Sequence, residues 1–133
     1  MIVIDASAAI EWVLQTPKGA EVENRIFRKT SELPRLHAPH LLDVEVAQVL
    51  RKHVAKGLVS EGRGQTALQD FLQIPLLRYP HEFLLERVWA LRKNLTAYDA
   101  VYVALAEALD MPLVTCDANI GGVPGVRARI DVV

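Results

Sequence analysis

The sequence predicts an α/β protein built on a parallel sheet, and two observations carry that prediction. Short runs of apolar and β-branched residues alternate with longer stretches of helical spacing, the pattern of βαβ units. Three aspartates stand at such junctions: Asp5 behind Ile2-Val3-Ile4, Asp117 behind Leu113-Val114-Thr115-Cys116, and Asp99 early in the helical run Ala97-Tyr98-Asp99-Ala100-Val101. In an open parallel sheet, ligands bind at the carboxyl ends of the strands. Carboxylates gathered there stay ionised together only when a cation joins them. The pattern points to a hard-metal site, and a hard metal suggests phosphate chemistry.

The elements follow in order. Met1 to Ile4 is an apolar run suited to a strand buried on both faces. Ser7 can cap a helix through about Gln15, with Thr16-Pro17 as its stop. Lys18 to Arg28 has partial helical spacing through Ala20, Val22, Ile26 and Phe27. Leu36 to Ala38 is a short strand ending at Pro39. A long helix runs from His40 to Lys56 and closes at Gly57. Ser60 opens the next, through Gln73, with Glu61 in its first turn. Ile74 to Tyr79 reads as a strand and His81 to Lys93 as a helix. Thr96 starts a helix that runs to Leu109. After the turn Asp110-Met111-Pro112 comes a strand from Leu113 to Cys116. The tail from Gly121 is turn-rich and then alternates Val126, Ala128, Ile130 and Val132, as a late strand does.

Composition narrows the class. A chain of 133 residues, 51% of them apolar, is expected to form a single domain over 1–133 with one core. With 15 basic against 16 acidic side chains, any polyanion partner must be met by a local basic patch. Cys116 is alone, so no internal disulfide forms. No leader pattern opens the sequence and no membrane span is long enough, so the expectation is a soluble, cytoplasmic protein with no membrane partner.

Each acid has a bland explanation as well as a chemical one. Asp5 and Asp117 could be ordinary turn or cap residues, although Ser7 could cap the first helix without Asp5. Thr96 to Asp99 has the spacing of a capping box, but Asp is shorter than the usual Glu or Gln, so the return bond should be poor. Glu45 is the most telling. On a helical wheel Leu41 and Val49 flank it at roughly 40° on each side, and an acid inside an apolar margin is costly unless something pairs with it. Lys52 and Lys56 fall within about 20° of the same direction, as a surface stripe or as a basic track for a phosphate backbone.

Several chemistries are excluded by what is missing. His37 and His40 have no cysteine partners for zinc. No glycine-rich phosphate loop follows the first strand. Asp5 has no acidic neighbour for a phosphoacceptor domain, and Ser7 stands where a haloacid-dehalogenase-like phosphatase needs a second Asp.

Four segments resemble a known family. Met1-Ile2-Val3-Ile4-Asp5-Ala6-Ser7-Ala8 is similar to the opening of PIN-domain ribonucleases, and Pro39-His40-Leu41-Leu42-Asp43-Val44-Glu45-Val46 to their second acidic motif. Leu95 to Ala106 resembles the third motif, and Leu113-Val114-Thr115-Cys116-Asp117 the fourth. In length and motif order the chain resembles the VapC toxins of type II toxin–antitoxin modules. The resemblance implies a three-layer α/β/α fold with a central parallel sheet of about five strands, and an endoribonuclease dependent on Mg2+ or Mn2+. It implies a catalytic and metal-binding quartet of Asp5, Glu45, Asp99 and Asp117, supported by the hydroxyls of Ser7 and Thr115. Asp5 and Asp99 would be the most direct ligands. RNA products would carry 5′-phosphate and 3′-hydroxyl ends.

A VapB-like antitoxin, an RNA substrate and a homodimer are implied partners. Candidate RNA contacts are Arg51, Lys52, Lys56, Arg92 and Lys93, and candidate antitoxin contacts are Trp12, Val13 and Phe27. The loop after Asp117, Ala118-Asn119-Ile120-Gly121-Gly122, lacks the further charged residue common in the family. Two alternatives remain open on sequence: a catalytically idle PIN-like module that binds RNA or protein, and a structure-specific DNA nuclease.

Overall fold

The computed structural model describes residues 1–28 and 30–133. In chain order the elements are β1 (Ile2–Ile4), α1 (Ala6–Val13), α2 (Pro17–Ile26), β2 (Leu36–Pro39), α3 (Leu41–Ala55), α4 (Glu61–Gln73), β3 (Leu76–Tyr79), α5 (Leu85–Ala90), α6 (Ala97–Leu109), β4 (Leu113–Thr115) and β5 (Ile130–Val132). The five strands form one sheet in the order β3-β2-β1-β4-β5, and every neighbouring pair is parallel. Helices cover both faces, giving the expected α/β/α layering. The carboxyl edge is where this architecture binds ligands, at the point where strand order reverses. Here that point lies between β1 and β4, since β2 and β3 extend to one side of β1 and β4 and β5 to the other.

The register places the site. Ile4 lies opposite Val114, which sets Asp5 beside Thr115 across the switch point. Val3, Ile4, Leu36, Leu113 and Val114 are fully buried, as strands covered on both faces must be. From Ala100 to Ala106 the helix α6 is buried all round and packs on β1, β2 and β4. A helix apolar on every side is a core helix, so its head carries Asp99 to the sheet edge. Near the C-terminal end of α6, Arg87 donates to both carboxylate oxygens of Glu107 and to the carbonyl of Gly125, pinning the tail to α5 and α6.

Local details differ from the sequence expectations. Asp5, not Ser7, caps α1: its Oδ1 accepts the Ala8 N–H at 3.0 Å, while Ser7 lies inside the first turn. Thr16-Pro17 opens α2 instead of closing α1, with Thr16 accepting the Gly19 N–H and Pro17 in the first turn, where its missing N–H costs nothing. The first helix ends at Val13, and Gln15 turns the chain at φ 57°. Gly19 sits where α2 crosses α1, and a Cβ there would collide with the Glu11 carbonyl. Gly57 ends α3 as expected, at φ +72°. The segment 81–93 is less helical than its spacing suggests: Glu82–Leu84 is a 3-10 turn, α5 has 6 residues, and tight turns follow to Leu95. The third strand begins at Leu76, two residues later than expected. Among the described residues no helix is long and apolar enough to cross a membrane.

Candidate active site

The four acids come from four different elements to one edge of the sheet. Asp5 follows β1, Glu45 lies on the first half of α3 just beyond β2, Asp99 is in the first turn of α6, and Asp117 follows β4. Asp5 is buried, and Glu45, Asp99 and Asp117 are partly buried.

The Asp5 carboxylate is held at both oxygens. Ser7 Oγ donates to Oδ1 at 2.7 Å beside the Ala8 N–H, and the Thr115 hydroxyl donates to Oδ2. These hydroxyls form a small network. Ser7 Oγ accepts the Cys116 N–H at 2.9 Å, Thr115 Oγ1 accepts the Asp117 N–H at 3.0 Å, and the two oxygens stand 3.2 Å apart. The Ser7 and Thr115 hydroxyls thus tie the end of β1 to the end of β4.

Glu45 has a partner absent from the sequence reading. The hydroxyl of Tyr102, on α6, donates to its Oε1 at 2.5 Å. Tyr102 is three residues beyond Asp99, so helical spacing puts both on one face. That spacing was the available signal, and it lay hidden in an apolar run. Thr96 caps α6 by accepting the Asp99 N–H at 3.2 Å, half of a capping box, which leaves the short Asp99 side chain directed to the site. Asp117 accepts the Asn119 N–H at 2.9 Å through Oδ1, so its turn role and its place at the edge coexist.

Electrostatically the acids form one unit. Burial raises the pKa of Asp5 most, with Thr115, Ala8 and Ser7 pulling it back down and the Asp99 charge pushing it up. Glu45 is raised first by burial, is lowered by the Tyr102 bond, and feels Asp99 and Asp5. Asp99 is raised by burial and then by the charge of Asp117, with Thr96 opposing. No compensating cation is built in: the four salt bridges among the described residues use Asp131, Asp70, Asp43 and Glu107 instead. The Cys116 thiol is pushed up to about 11 by burial and by the charge of Asp5, so it stays protonated and is no nucleophile.

A model of the PIN domain matches residues 2–125. Ribonuclease VapC12 of Mycobacterium tuberculosis is 41% identical over 133 residues, covering all of this chain and 99% of the relative. This chain belongs to the PIN-domain family. Within it the relatives are VapC ribonucleases: VapC9 of the same organism is 41% identical, covering all of the chain and 98% of the relative, and VapC1 is 39% identical over 132 residues, covering 98% and 96%. Among solved structures, PAE2754 from Pyrobaculum aerophilum superposes with a TM-score of 0.69 at 25% identity, covering 98% of this chain and 83% of that one. The fold is shared with VapC20 of M. tuberculosis, described as a sarcin-ricin loop cleaving toxin, at TM-score 0.65 and 15% identity, covering 96% and 99%.

The donor set of this PIN chain fits a hard divalent ion: oxygen ligands only, negative charge in excess, and the pKa values of Asp5, Glu45 and Asp99 raised by burial and by neighbouring acids. Among the described residues, however, no three His, Cys, Asp or Glu side chains stand close enough to clasp one ion. Both oxygens of Asp5 are engaged by Ser7, Ala8 and Thr115. Mg2+ suits so open a cluster, because it keeps several waters and binds one or two carboxylates directly.

The remaining candidates divide. Arg51, Lys52 and Lys56 are exposed on α3, and neither lysine pairs with Glu45. Lys52 and Lys56 lie about 10 and 16 Å along the axis from Glu45, at 1.5 Å per residue, so the track leads away from the acids. Arg92 and Lys93 are exposed in the turns before α6, and the Arg92 guanidinium lies 4.6 Å over the Trp89 ring. Val13 is buried in the core and so presents no surface to an antitoxin, since α1 is packed by α2, α3 and α4. Trp12 and Phe27 are partly buried against the core and keep some exposed surface.

Proposed function

We propose that this chain is a divalent-metal-dependent endoribonuclease of VapC type, the toxin of a toxin–antitoxin pair, with Asp5, Glu45, Asp99 and Asp117 as its catalytic acids. The observation that carries this is one uncompensated cluster: four carboxylates from four elements, at the switch point of a parallel sheet, with no cationic partner among the described residues and with burial and neighbouring acids raising the pKa of Asp5, Glu45 and Asp99. An Mg2+ or Mn2+ ion held by Asp5 and Asp99, with Glu45 and Asp117 on its waters, would neutralise the phosphate and acidify the attacking water.

The chain's own residues supply geometry and proton handling. Ser7 and Thr115 fix the Asp5 carboxylate in one orientation, which lowers the cost of assembling the site at each turnover. Asp99 projects from the head of α6, where backbone N–H groups favour negative charge, the substrate phosphate included. Tyr102 holds Glu45 by Oε1, leaving Oε2 to orient the water and take its proton. The water oxygen bonds to phosphorus, the P–O3′ bond breaks, and the 3′ oxygen leaves with its electron pair and takes a proton from solvent water, while Glu45 returns its proton to solvent. No 2′-hydroxyl takes part, so preference for RNA rests on binding. Arg92 and Lys93, in the approach to α6, are the better placed of the basic candidates for the RNA backbone.

An antitoxin, a homodimer and a cytoplasmic location belong to the same proposal, as does treating 1–133 as one PIN domain. The test is cleavage of structured RNA by partner-free protein with Mg2+, and again after EDTA. Cleavage that persists in excess EDTA, or in Asp99→Asn, overturns the proposal.

A further inference from the structure

Tyr98 stands one helical turn before Tyr102 on α6. Residues four apart share a helix face, and helical side chains lean toward the N-terminus. The Tyr98 ring therefore sits beyond Tyr102, at the open head of the helix. Tyr102 is 2% exposed and its hydroxyl holds Glu45, whereas Tyr98 is 63% exposed. The same spacing that buries one tyrosine at the acid cluster sets the other one turn nearer the helix head, exposed and next in sequence to Asp99.

The platform is rigid. Thr96 caps this turn through the Asp99 N–H, Ala100 N–H bonds back to Thr96, and Leu95 and Ala100 anchor its inner side in the core. A large flat ring exposed in a fixed first turn gains nothing for folding. It does offer a π face beside the position of the reacting phosphate.

We propose that Tyr98 is the stacking platform for the base of a nucleotide flanking the scissile phosphate, an inference that rests on the ribonuclease reading above. Stacking accepts every base, because each has a π face. It requires the base to be unpaired, as in a single-stranded segment or loop. Tyr98 then grips loop RNA without selecting its sequence, and selection falls to other contacts.

The test begins by mapping the cut made by the wild type in an RNA stem-loop. Wild type, Tyr98→Ala and Tyr98→Phe are then compared on that RNA, and on copies with an abasic nucleotide on either side of the cut. Stacking of about 1–3 kcal/mol per base corresponds to a factor of about 5 to 150. Tyr98→Ala should lose about tenfold or more in kcat/KM, mostly through KM, and Tyr98→Phe should stay within about twofold. On the RNA lacking the stacked base, wild type should fall to the level of Tyr98→Ala, and the substitution should have no further effect. Wild-type efficiency in Tyr98→Ala overturns the proposal, as does an equal loss on the intact and both abasic RNAs. A wild type that cuts no RNA fails differently, removing the ribonuclease reading and this one together.

Discussion

Replacing Thr115 with valine tests the link between the two strands that build the site. Thr115 is fully buried, and valine keeps nearly its shape while removing the hydroxyl. That hydroxyl donates to Asp5 Oδ2 and accepts the Asp117 N–H at 3.0 Å. A hydrogen bond to a charged group contributes about 1.5–3 kcal/mol and an ordinary one about 0.5–1.5. Their joint loss should cost about 2–4 kcal/mol, since Asp5 is left with an unsatisfied oxygen in a buried site. For a chain of this size the melting temperature should fall by about 10 °C.

The loss should depend on pH with a definite sign. The Asp5 pKa already lies above its ordinary 3.8, and the Thr115 bond holds it down. Without that bond it climbs further. A carboxyl raised in the folded state loses stability as pH rises through its folded pKa, so the penalty is largest at neutral pH and shrinks as pH falls toward 3.8. Urea unfolding of both proteins in EDTA, from about pH 8 down to about pH 4, measures this directly. A loss under about 0.5 kcal/mol at neutral pH, or one that does not change with pH, refutes the account of Asp5.

Other perturbations probe separate links. Asp99→Asn should stabilise the metal-free protein at neutral pH by about 0.5–2 kcal/mol, because it removes a charge that burial and Asp117 disfavour, while abolishing RNA cleavage; thermal unfolding in EDTA checks it. Tyr102→Phe keeps the buried ring but frees Glu45, so kcat at saturating RNA should fall about 10- to 100-fold with a stability change under about 1.5 kcal/mol. Gly19→Ala should cost about 2 kcal/mol or more, read from the urea midpoint, because its Cβ would meet the Glu11 carbonyl where α1 and α2 cross.

Much of the fold was legible because its signals are local. Buried parallel strands read as short apolar runs, Gly57 and the Thr96 cap mark their helix ends, and the buried face of α6 covers Ala100 to Ala106 without a break. The acids were legible because they interrupt those patterns, Glu45 above all. Less local features escaped. The full hold on Asp5 depends on strand register, since Thr115 reaches its second oxygen only once β1 and β4 pair. Thr16-Pro17 favours a helix start as readily as a stop, and only the tight crossing at Gly19 shows that it begins α2. The short α5 defeats periodicity, because buried Leu84, Val88, Leu91 and Leu95 keep helical spacing through turns that are not one helix. The Tyr102–Glu45 bond joins residues 57 apart in sequence, and the Asp99–Tyr102 spacing, though readable, does not name Glu45 as the partner. Val13 looked available on its helix and is buried in the core.

The central claim is that Asp5, Glu45, Asp99 and Asp117 act as one divalent-ion site. Calorimetric titration of Mn2+ into the partner-free wild type and into Asp5→Asn, Glu45→Gln, Asp99→Asn and Asp117→Asn tests it most directly. Binding to the wild type should release protons, because ligation requires ionised carboxylates whose pKa values the fold has raised. Affinity should fall about tenfold or more in Asp5→Asn and Asp99→Asn, and less in the other two. Equal Mn2+ affinity in all five proteins would contradict the account.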